Sequence, residues 1–215
     1  MRKVLLILFF TGMTVWAQAQ QSWPFQKEIN EFKAADRAGM PHKGAILFTG
    51  SSSIKKWSDL KTRFADYDVI QRGFGGSQLS DLLHYTDDIV LPYRPSKIFV
   101  YEGDNDIAGG KTAAKVYADF VTFFNRVHTA LPETKIYYIS IKPSPSRKKL
   151  WKTFREANEM IKAFAAKHPC NAVFIDVYHP MLDGNGEALP VFLPDNLHMV
   201  SAGYDIWEKE IRKYL

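Results

Sequence analysis

Near the C-terminus, a carboxylate precedes a histidine by three residues in the stretch LPDNLHMVSAGY, residues 193–204. Asp195 and His198 lie in a predicted loop that runs directly into a helix. Three interpretations are open: a fragment of a metal site, a turn with a solvated histidine, or two members of a catalytic triad. The third interpretation requires a nucleophile elsewhere in the chain, because the imidazole and the carboxylate only activate the group that attacks.

Hydroxyl, glycine and carboxamide groups earlier in the chain could complete such a triad. Three consecutive serines lie in GSSS (50–53), glycines lie in GFGG (73–76), and Asn105 lies in GDND (103–106). A serine hydroxyl is a poor nucleophile unless a base lies beside it, and His198 could be that base. Free N–H groups at a helix start, at a glycine or on Asn105 could stabilise the oxyanion that forms. These residue types together predict acyl transfer.

Each of the four motifs follows a short apolar run that is typical of a buried strand. The predicted strands cover residues 44–50, 68–76, 97–103, 135–143 and 172–178. Amphipathic segments alternate with them and predict helices over residues 24–38, 53–65, 79–91, 112–131, 149–168 and 201–215. This alternation predicts an α/β fold with a five-stranded parallel sheet that has helices on both faces. The carboxyl ends of such strands form the usual ligand site, and all four motifs follow a predicted strand.

The chain carries four motifs in a fixed order: Gly-x-Ser, a glycine block, Gly-x-Asn-Asp and Asp-x-x-His. This ordered set resembles the motifs of the GDSL, or SGNH, hydrolase superfamily. The resemblance covers residues from about 45 to 204. It implies a flavodoxin-like three-layer α/β/α sandwich, as in GDSL-like lipases and platelet-activating-factor acetylhydrolase-like enzymes. It further implies hydrolysis of esters and thioesters of lipids, acetylated sugars or aryl alcohols, with no metal and no cofactor.

The resemblance assigns the nucleophile to Ser52, the base to His198 and the orienting carboxylate to Asp195. It assigns the oxyanion-hole donors to the N–H groups of Ser52, Gly76 and Asn105. Two alternatives stay open for the glycine donor, namely Gly73 and Gly75.

One position departs from the family pattern. Ser51 stands where the family usually has Asp, directly before Ser52. That Asp is not a triad member, so we expect activity to survive. Its absence leaves Ser51 and Ser53 as rival nucleophiles.

The N-terminus has the pattern of a secretory signal peptide. Arg2 and Lys3 precede an apolar stretch that ends in AQAQ, which predicts cleavage after Ala19. We therefore expect a signal peptide over residues 1–19 and a single hydrolase domain over residues 20–215, secreted or periplasmic and without a stable membrane anchor. Cys170 is the lone cysteine, so no internal disulfide can form, and we expect a buried thiol.

The remaining charged residues give little sign of a macromolecular partner. The formal net charge of +5 is mild and loses two positive charges with the signal peptide. The basic cluster at residues 147–149 predicts a solvated helix start rather than a nucleic-acid patch. Lys142 or Arg147 could alternatively contact an anionic group of a substrate. The other histidines lack acidic partners at ligand spacing, so we expect structural or solvated roles for them: His42, His84, His128, His168 and His179.

The sequence therefore predicts an exported serine esterase or acylhydrolase that forms an acyl-enzyme. No long apolar lid is visible, which favours short acyl groups such as acetyl on a small-molecule or glycan ester. Two alternatives are a lysophospholipase or thioesterase, and a non-catalytic carbohydrate-binding module on a hydrolase fold. The sequence does not specify the acyl group, the alcohol or the oligomeric state.

Overall fold

The computed structural model describes residues 23–215. The predicted signal peptide, residues 1–19, lies outside the described residues. No helix among residues 23–215 is long and apolar enough to cross a membrane.

A five-stranded sheet forms the centre of the fold. Its strands are β1 (Ile46–Gly50), β2 (Val69–Gly73), β3 (Lys97–Tyr101), β4 (Lys135–Ile139) and β5 (Ala172–Ile175). All four pairings are parallel, and the strand order is β2-β1-β3-β4-β5. This order confirms the predicted α/β fold with a five-stranded parallel sheet. Each strand is shorter than predicted: β1 begins two residues later, and the other four end two to four residues earlier, with β3, β4 and β5 stopping directly before a polar residue.

Helices cover both faces of the sheet. The α-helices are α1 (Gln26–Ala38), α2 (Ser52–Lys55), α3 (Leu60–Arg63), α4 (Leu79–His84), α5 (Thr86–Ile89), α6 (Asp104–Ala108), α7 (Ala113–Ala130), α8 (Trp151–Lys167) and α9 (Ser201–Ile211). The 3₁₀-helices are η1 (Leu91–Tyr93), η2 (Pro145–Leu150), η3 (His179–Met181) and η4 (Arg212–Tyr214).

Alternate strand residues separate the core into two layers. Leu47 and Ile98 pack in one cluster with α1, α4, α5, α7 and α8, and Phe48 and Phe99 pack in another with α2, α3 and α9. All four side chains are fully buried. A sheet buried on both faces requires such continuous apolar runs, which is why these strands do not alternate apolar and polar residues.

The structure corrects the predicted helix over residues 53–65. That segment forms two short helices, α2 and α3, separated by four residues. The side chain of Gln71 on β2 donates to the carbonyls of Ile54 and Trp57, at 2.7 and 3.0 Å. These bonds satisfy carbonyls at the break, and Ser58 and Asp59 beside it are weak helix formers.

Cys170 lies in the connection between α8 and β5 and is exposed. The predicted burial of this thiol was wrong, because the chain reverses direction at the surface there.

The strand order also fixes where the site can form. The chain passes from β1 to β2 on one side and then to β3 on the other. A crevice forms at the carboxyl ends of the strands where the winding reverses, here between β1 and β3. Ser52 follows β1 and Asn105 follows β3, so both lie at this switch point.

Candidate active site

Ser52 is held at the start of α2 by the close approach of β1 to β3. Gly50 ends β1 with φ +123°, and a Cβ there would lie 2.1 Å from the carbonyl oxygen of Tyr101. Only glycine permits this packing. The next amide, of Ser51, donates to the same carbonyl at 3.0 Å. The chain then turns into α2 with Ser52 as its first residue.

Three predicted residues come together as a hydrogen-bonded chain. The Nε2 atom of His198 lies 3.0 Å from Oγ of Ser52, and its Nδ1 atom lies 2.6 Å from Oδ2 of Asp195. The second carboxylate oxygen of Asp195 accepts from the backbone N–H groups of Leu197 and His198, at 3.0 and 2.9 Å. The bond to the His198 side chain and these backbone bonds lower the pKa of Asp195 below its ordinary value. An ionised Asp195 favours the imidazole tautomer that carries its proton on Nδ1, which leaves Nε2 to accept from Ser52.

The two rival serines lie in different surroundings. Ser51 and Ser53 are buried, whereas Ser52 is partly exposed. The Oγ atom of Ser53 has no hydrogen-bond partner among the described residues, and the side chain of Ser51 makes no cap bond to α2. Of the three hydroxyls, the structure therefore brings that of Ser52 to His198.

The three candidate glycines differ in what their amides can do. A Cβ on Gly73 would lie 2.3 Å from the backbone nitrogen of Lys55, so this glycine is packed against α2. The N–H of Gly75 donates to the carboxylate of Glu28 at 3.3 Å. Gly76 is exposed with φ +85°, and within residues 23–215 no atom accepts from its N–H. The geometry favours Gly76 as a donor to a bound oxyanion.

Asn105 lies in the first turn of α6, and both ends of its amide are bound. Its Nδ2 donates to the carbonyl oxygen of Ser77 at 2.9 Å. Its Oδ1 accepts from Nη2 of Arg147 at 2.9 Å. An amide nitrogen carries two hydrogens, so one N–H remains for a ligand.

Arg147 was predicted as a solvated residue or as a contact to an anionic substrate group, and not as a partner of Asn105. The sequence indicated a solvated helix start at residues 147–149, and this was wrong for Arg147, whose guanidinium also pairs with Asp104. No signal in the motif reveals the contact, because helix α7, strand β4 and the loops that join them separate Arg147 from Asn105 in the chain.

Lys142 is buried and does not reach the site surface. Its Nζ atom lies 3.1 Å from Asp104 and 3.0 Å from the hydroxyl of Tyr101. Burial tends to raise the pKa of Asp104, but the charges of Lys142 and Arg147 outweigh it and lower that pKa overall. The alternative in which Lys142 contacts an anionic substrate group is therefore wrong.

A buried glutamate lies between β3 and α6, the helix that carries Asn105. Glu102 is fully buried, its Oε1 lies 2.6 Å from Oγ of Ser77, and its Oε2 has no partner among the described residues. Burial, followed by the charge of Asp106, raises the pKa of Glu102 well above its ordinary value. Asp106 in turn accepts from the N–H of Leu79 at 3.2 Å and binds Lys111 at 2.8 Å. The bond from Leu79 to Asp106 connects α6, which carries Asn105, to the start of α4, which follows the glycines at residues 73–76.

A second Asp-x-x-His pair lies after β5, and the sequence reasoning missed it. Oδ2 of Asp176 lies 2.6 Å from Nδ1 of His179, and its Oδ1 accepts from the N–H groups of Tyr178 and His179. The prediction that His179 lacks an acidic partner was wrong, although the three-residue spacing was a usable signal. The side chain of His179 is 65% exposed and that of His198 is 14% exposed. Only His198 makes a hydrogen bond to a serine hydroxyl among the described residues.

A parallel sheet of this order, with a serine, an imidazole and a carboxylate bonded in series at its switch point, is the arrangement of a carboxylic ester hydrolase. The model of the GDSL-like lipase/acylhydrolase family matches residues 42–206. The chain belongs to this family, as the motifs predicted.

Solved structures share the fold at low sequence identity. A protein from Streptococcus pneumonia has a TM-score of 0.78 at 22% identity, with 87% of this chain and 91% of that chain covered. A GDSL-like lipase from Bacteroides thetaiotaomicron has a TM-score of 0.72 at 21% identity, with coverages of 86% and 95%. A mutant of an acetyl-xylooligosaccharide esterase from Geobacillus Stearmophilus has a TM-score of 0.62 at 14% identity, with coverages of 80% and 94%. No curated protein sequence matches the chain.

Proposed function

We propose that the chain is a serine esterase that hydrolyses carboxylic esters through an acyl-enzyme on Ser52. The observation that carries this proposal is the series of contacts from Ser52 Oγ to His198 Nε2, at 3.0 Å, and from His198 Nδ1 to Asp195, at 2.6 Å. Neither contact is explained by core packing, since His198 and Ser52 are partly exposed at the carboxyl edge of the sheet.

In the first half of the reaction, Oγ of Ser52 attacks the acyl carbon while His198 Nε2 takes the hydroxyl proton. The bond between the acyl carbon and the alcohol oxygen then breaks. The alcohol leaves with the proton that His198 returns to it. Asp195 holds the imidazole in the required tautomer and stabilises its protonated form. In the second half, His198 takes a proton from water while the water oxygen attacks the acyl carbon. The bond between that carbon and Ser52 Oγ then breaks, and His198 returns the proton to Oγ, which releases the carboxylic acid and free Ser52.

Three N–H groups would stabilise the negative oxygen of each tetrahedral intermediate. Ser52 lies at the start of α2, where helix amides have no partner within the helix. The free N–H of Gly76 and the second amide hydrogen of Asn105 are the other two donors. Loss of one such donor typically costs about 10²- to 10³-fold in kcat.

We infer that the substrate carries a short acyl group, such as acetyl, on a glycan or another polar alcohol. Two polar side chains lie beside the site residues: Lys56 Nζ lies 3.4 Å from Nδ1 of His198, and Gln78 donates to the carbonyl of Asn105 at 3.4 Å. Such groups suit a hydroxylated alcohol better than a lipid chain. The neighbour from Geobacillus, which shares the fold of this chain, is named for acetyl-xylooligosaccharides. That name agrees with an acetylated glycan as the substrate.

A panel of esters tests the activity and the substrate together. The mature protein is assayed on p-nitrophenyl esters from two to sixteen carbons, a lysophospholipid, a thioester and acetylated xylan. We expect turnover highest on acetyl esters and abolished in Ser52→Ala. The matched variant Ser51→Ala should keep most of the activity, because its hydroxyl is buried. Preference for long chains would favour the lysophospholipase alternative, and glycan binding without turnover would favour a carbohydrate-binding module.

We further propose that the chain is exported and that residues 1–19 are its signal peptide. The basic start at Arg2 and Lys3, the apolar stretch and the small residues before position 20 support this proposal. The expected N-terminus of the exported protein is Gln20. Fractionation followed by N-terminal sequencing checks it, and an intact Met1 on cytoplasmic protein would contradict it.

A further inference from the structure

Arg147 binds two consecutive side chains at the site edge. It lies in η2, after β4, and its guanidinium donates to Asp104 through Nη1 and to Oδ1 of Asn105 through Nη2, the latter at 2.9 Å. The side chain is only 16% exposed. A planar guanidinium presents donors in a fixed fork, so two bonds to neighbouring oxygens define its orientation.

The opposite end of the Asn105 amide is fixed as well. Nδ2 of Asn105 donates to the carbonyl of Ser77, and Ser77 is fully buried. The hydroxyl of Ser77 lies 3.0 Å from the carbonyl of Phe74 and 2.6 Å from Glu102, which anchors this residue. The amide plane of Asn105 is therefore held at both its oxygen and its nitrogen, and the direction of its remaining N–H follows from that plane.

We propose that Arg147 is a positioning residue of the oxyanion hole: by binding Oδ1 it holds the Asn105 amide and polarises it, so that the free N–H becomes a stronger donor to the oxyanion. This inference rests on the proposed esterase function. A positive charge on the acceptor end of an amide strengthens hydrogen bonding at its donor end, because hydrogen bonds in series polarise one another. The effect is larger at a partly buried site than in water.

The surroundings of Asp104 allow Arg147 to be replaced without leaving a buried charge unpaired. Asp104 keeps Lys142 at 3.1 Å and the hydroxyl of Tyr101 at 3.1 Å. Arg147→Met would therefore remove the contact to Asn105 while Asp104 stays neutralised. We expect this variant to fold.

A double-mutant cycle tests the proposal, with kcat and KM measured on an acetyl ester. Arg147→Met should lower kcat by about tenfold, less than outright loss of a donor, with KM changed less than twofold. In the Asn105→Ala background the same substitution should change kcat less than twofold, since Arg147 acts through that amide. If Arg147→Met does not fold, Arg147→Lys replaces it in the cycle, because lysine keeps the charge but has no planar fork.

Lys148→Met is the matched control. Lys148 is the next residue, is exposed and pairs with Glu187, so its replacement should leave both constants unchanged. An equal loss of kcat in both Asn105 backgrounds, or a loss confined to KM, would overturn the proposal. An inactive wild-type protein would instead overturn the proposed function, so the two failures are distinguishable.

Discussion

Replacement of Asp195 by asparagine should be more harmful than its replacement by alanine. The two backbone N–H groups of Leu197 and His198 donate to Oδ1 of Asp195. In Asp195→Asn these donors keep the amide oxygen at the Oδ1 position, so the NH₂ group must face Nδ1 of His198. The imidazole then accepts at Nδ1 and carries its proton on Nε2. In that tautomer Nε2 cannot accept the proton of Ser52.

The magnitude follows from the exposure of the carboxylate. An analogous asparagine in a buried triad costs about 10⁴-fold in kcat. The side chain of Asp195 is 45% exposed, so solvent screens part of its effect on the imidazole. We therefore expect a loss of about 10²- to 10³-fold for asparagine, or about 3–4 kcal/mol of barrier. Alanine leaves Nδ1 open to water, so both tautomers form, and we expect a loss of about 10- to 10²-fold.

The assay is the steady-state rate on an acetyl ester near neutral pH, with folding checked by circular dichroism. Asp176→Asn is the matched control, because Asp176 makes the same three contacts to its own loop and to His179. We expect its rate within twofold of the wild-type rate. Equal rates for Asp195→Asn and Asp195→Ala, or a faster asparagine variant, would refute the tautomer argument. A large loss in Asp176→Asn would show that loop stability alone explains the effect.

Three further predictions concern pH and packing. Because the pKa of Asp195 is lowered, this carboxylate stays ionised over the working pH range and adds no second protonation to the acid limb, so the slope of log kcat/KM there should not exceed one; a slope of two contradicts this. The pKa of Glu102 is raised in the folded state. Between the ordinary pKa of a glutamate and this raised pKa, the folded state holds a proton that the unfolded state has lost. The free energy of unfolding of the wild type therefore falls as pH rises through that range. Glu102→Gln removes this dependence, and thermal melts should show its stability relative to wild type growing as pH rises above the ordinary range of a glutamate, by at most about 1.4 kcal/mol per pH unit; a constant difference would exclude the linkage. Gly50→Ala should destabilise the fold by more than about 3 kcal/mol in urea titrations, because its Cβ would meet the Tyr101 carbonyl; a change below 1 kcal/mol would mean that β1 can shift.

The sequence predicted the sheet and the triad candidates for a common physical reason. Buried strands are apolar on both faces and end at glycine or polar residues, so their carboxyl ends are visible in the sequence. Chemistry-bearing residues such as Ser52, Asn105 and His198 cluster after these ends. Ser58 and Asp59 are only a weak sequence signal for the break between α2 and α3. The carbonyls at the break are bound by the side chain of Gln71 from another strand, which the local sequence does not show.

Contacts between distant side chains were the least predictable part of the site. The basic residues at 147–149 look alike in sequence, yet Arg147 is held by Asp104 and Asn105 while Lys148 is exposed. The pair of Asp176 and His179 has the same spacing as that of Asp195 and His198. Spacing alone therefore does not identify a base, and the added information is which imidazole meets a hydroxyl in space.

Covalent trapping of the nucleophile tests the central claim most directly. The mature protein is incubated with a fluorophosphonate, digested and mapped by mass spectrometry, with heat-denatured protein in parallel. We predict a single adduct on Ser52, formed only by the folded protein and abolished in His198→Ala. An adduct on Ser51 or Ser53, or no adduct on folded protein that hydrolyses esters, would contradict the account.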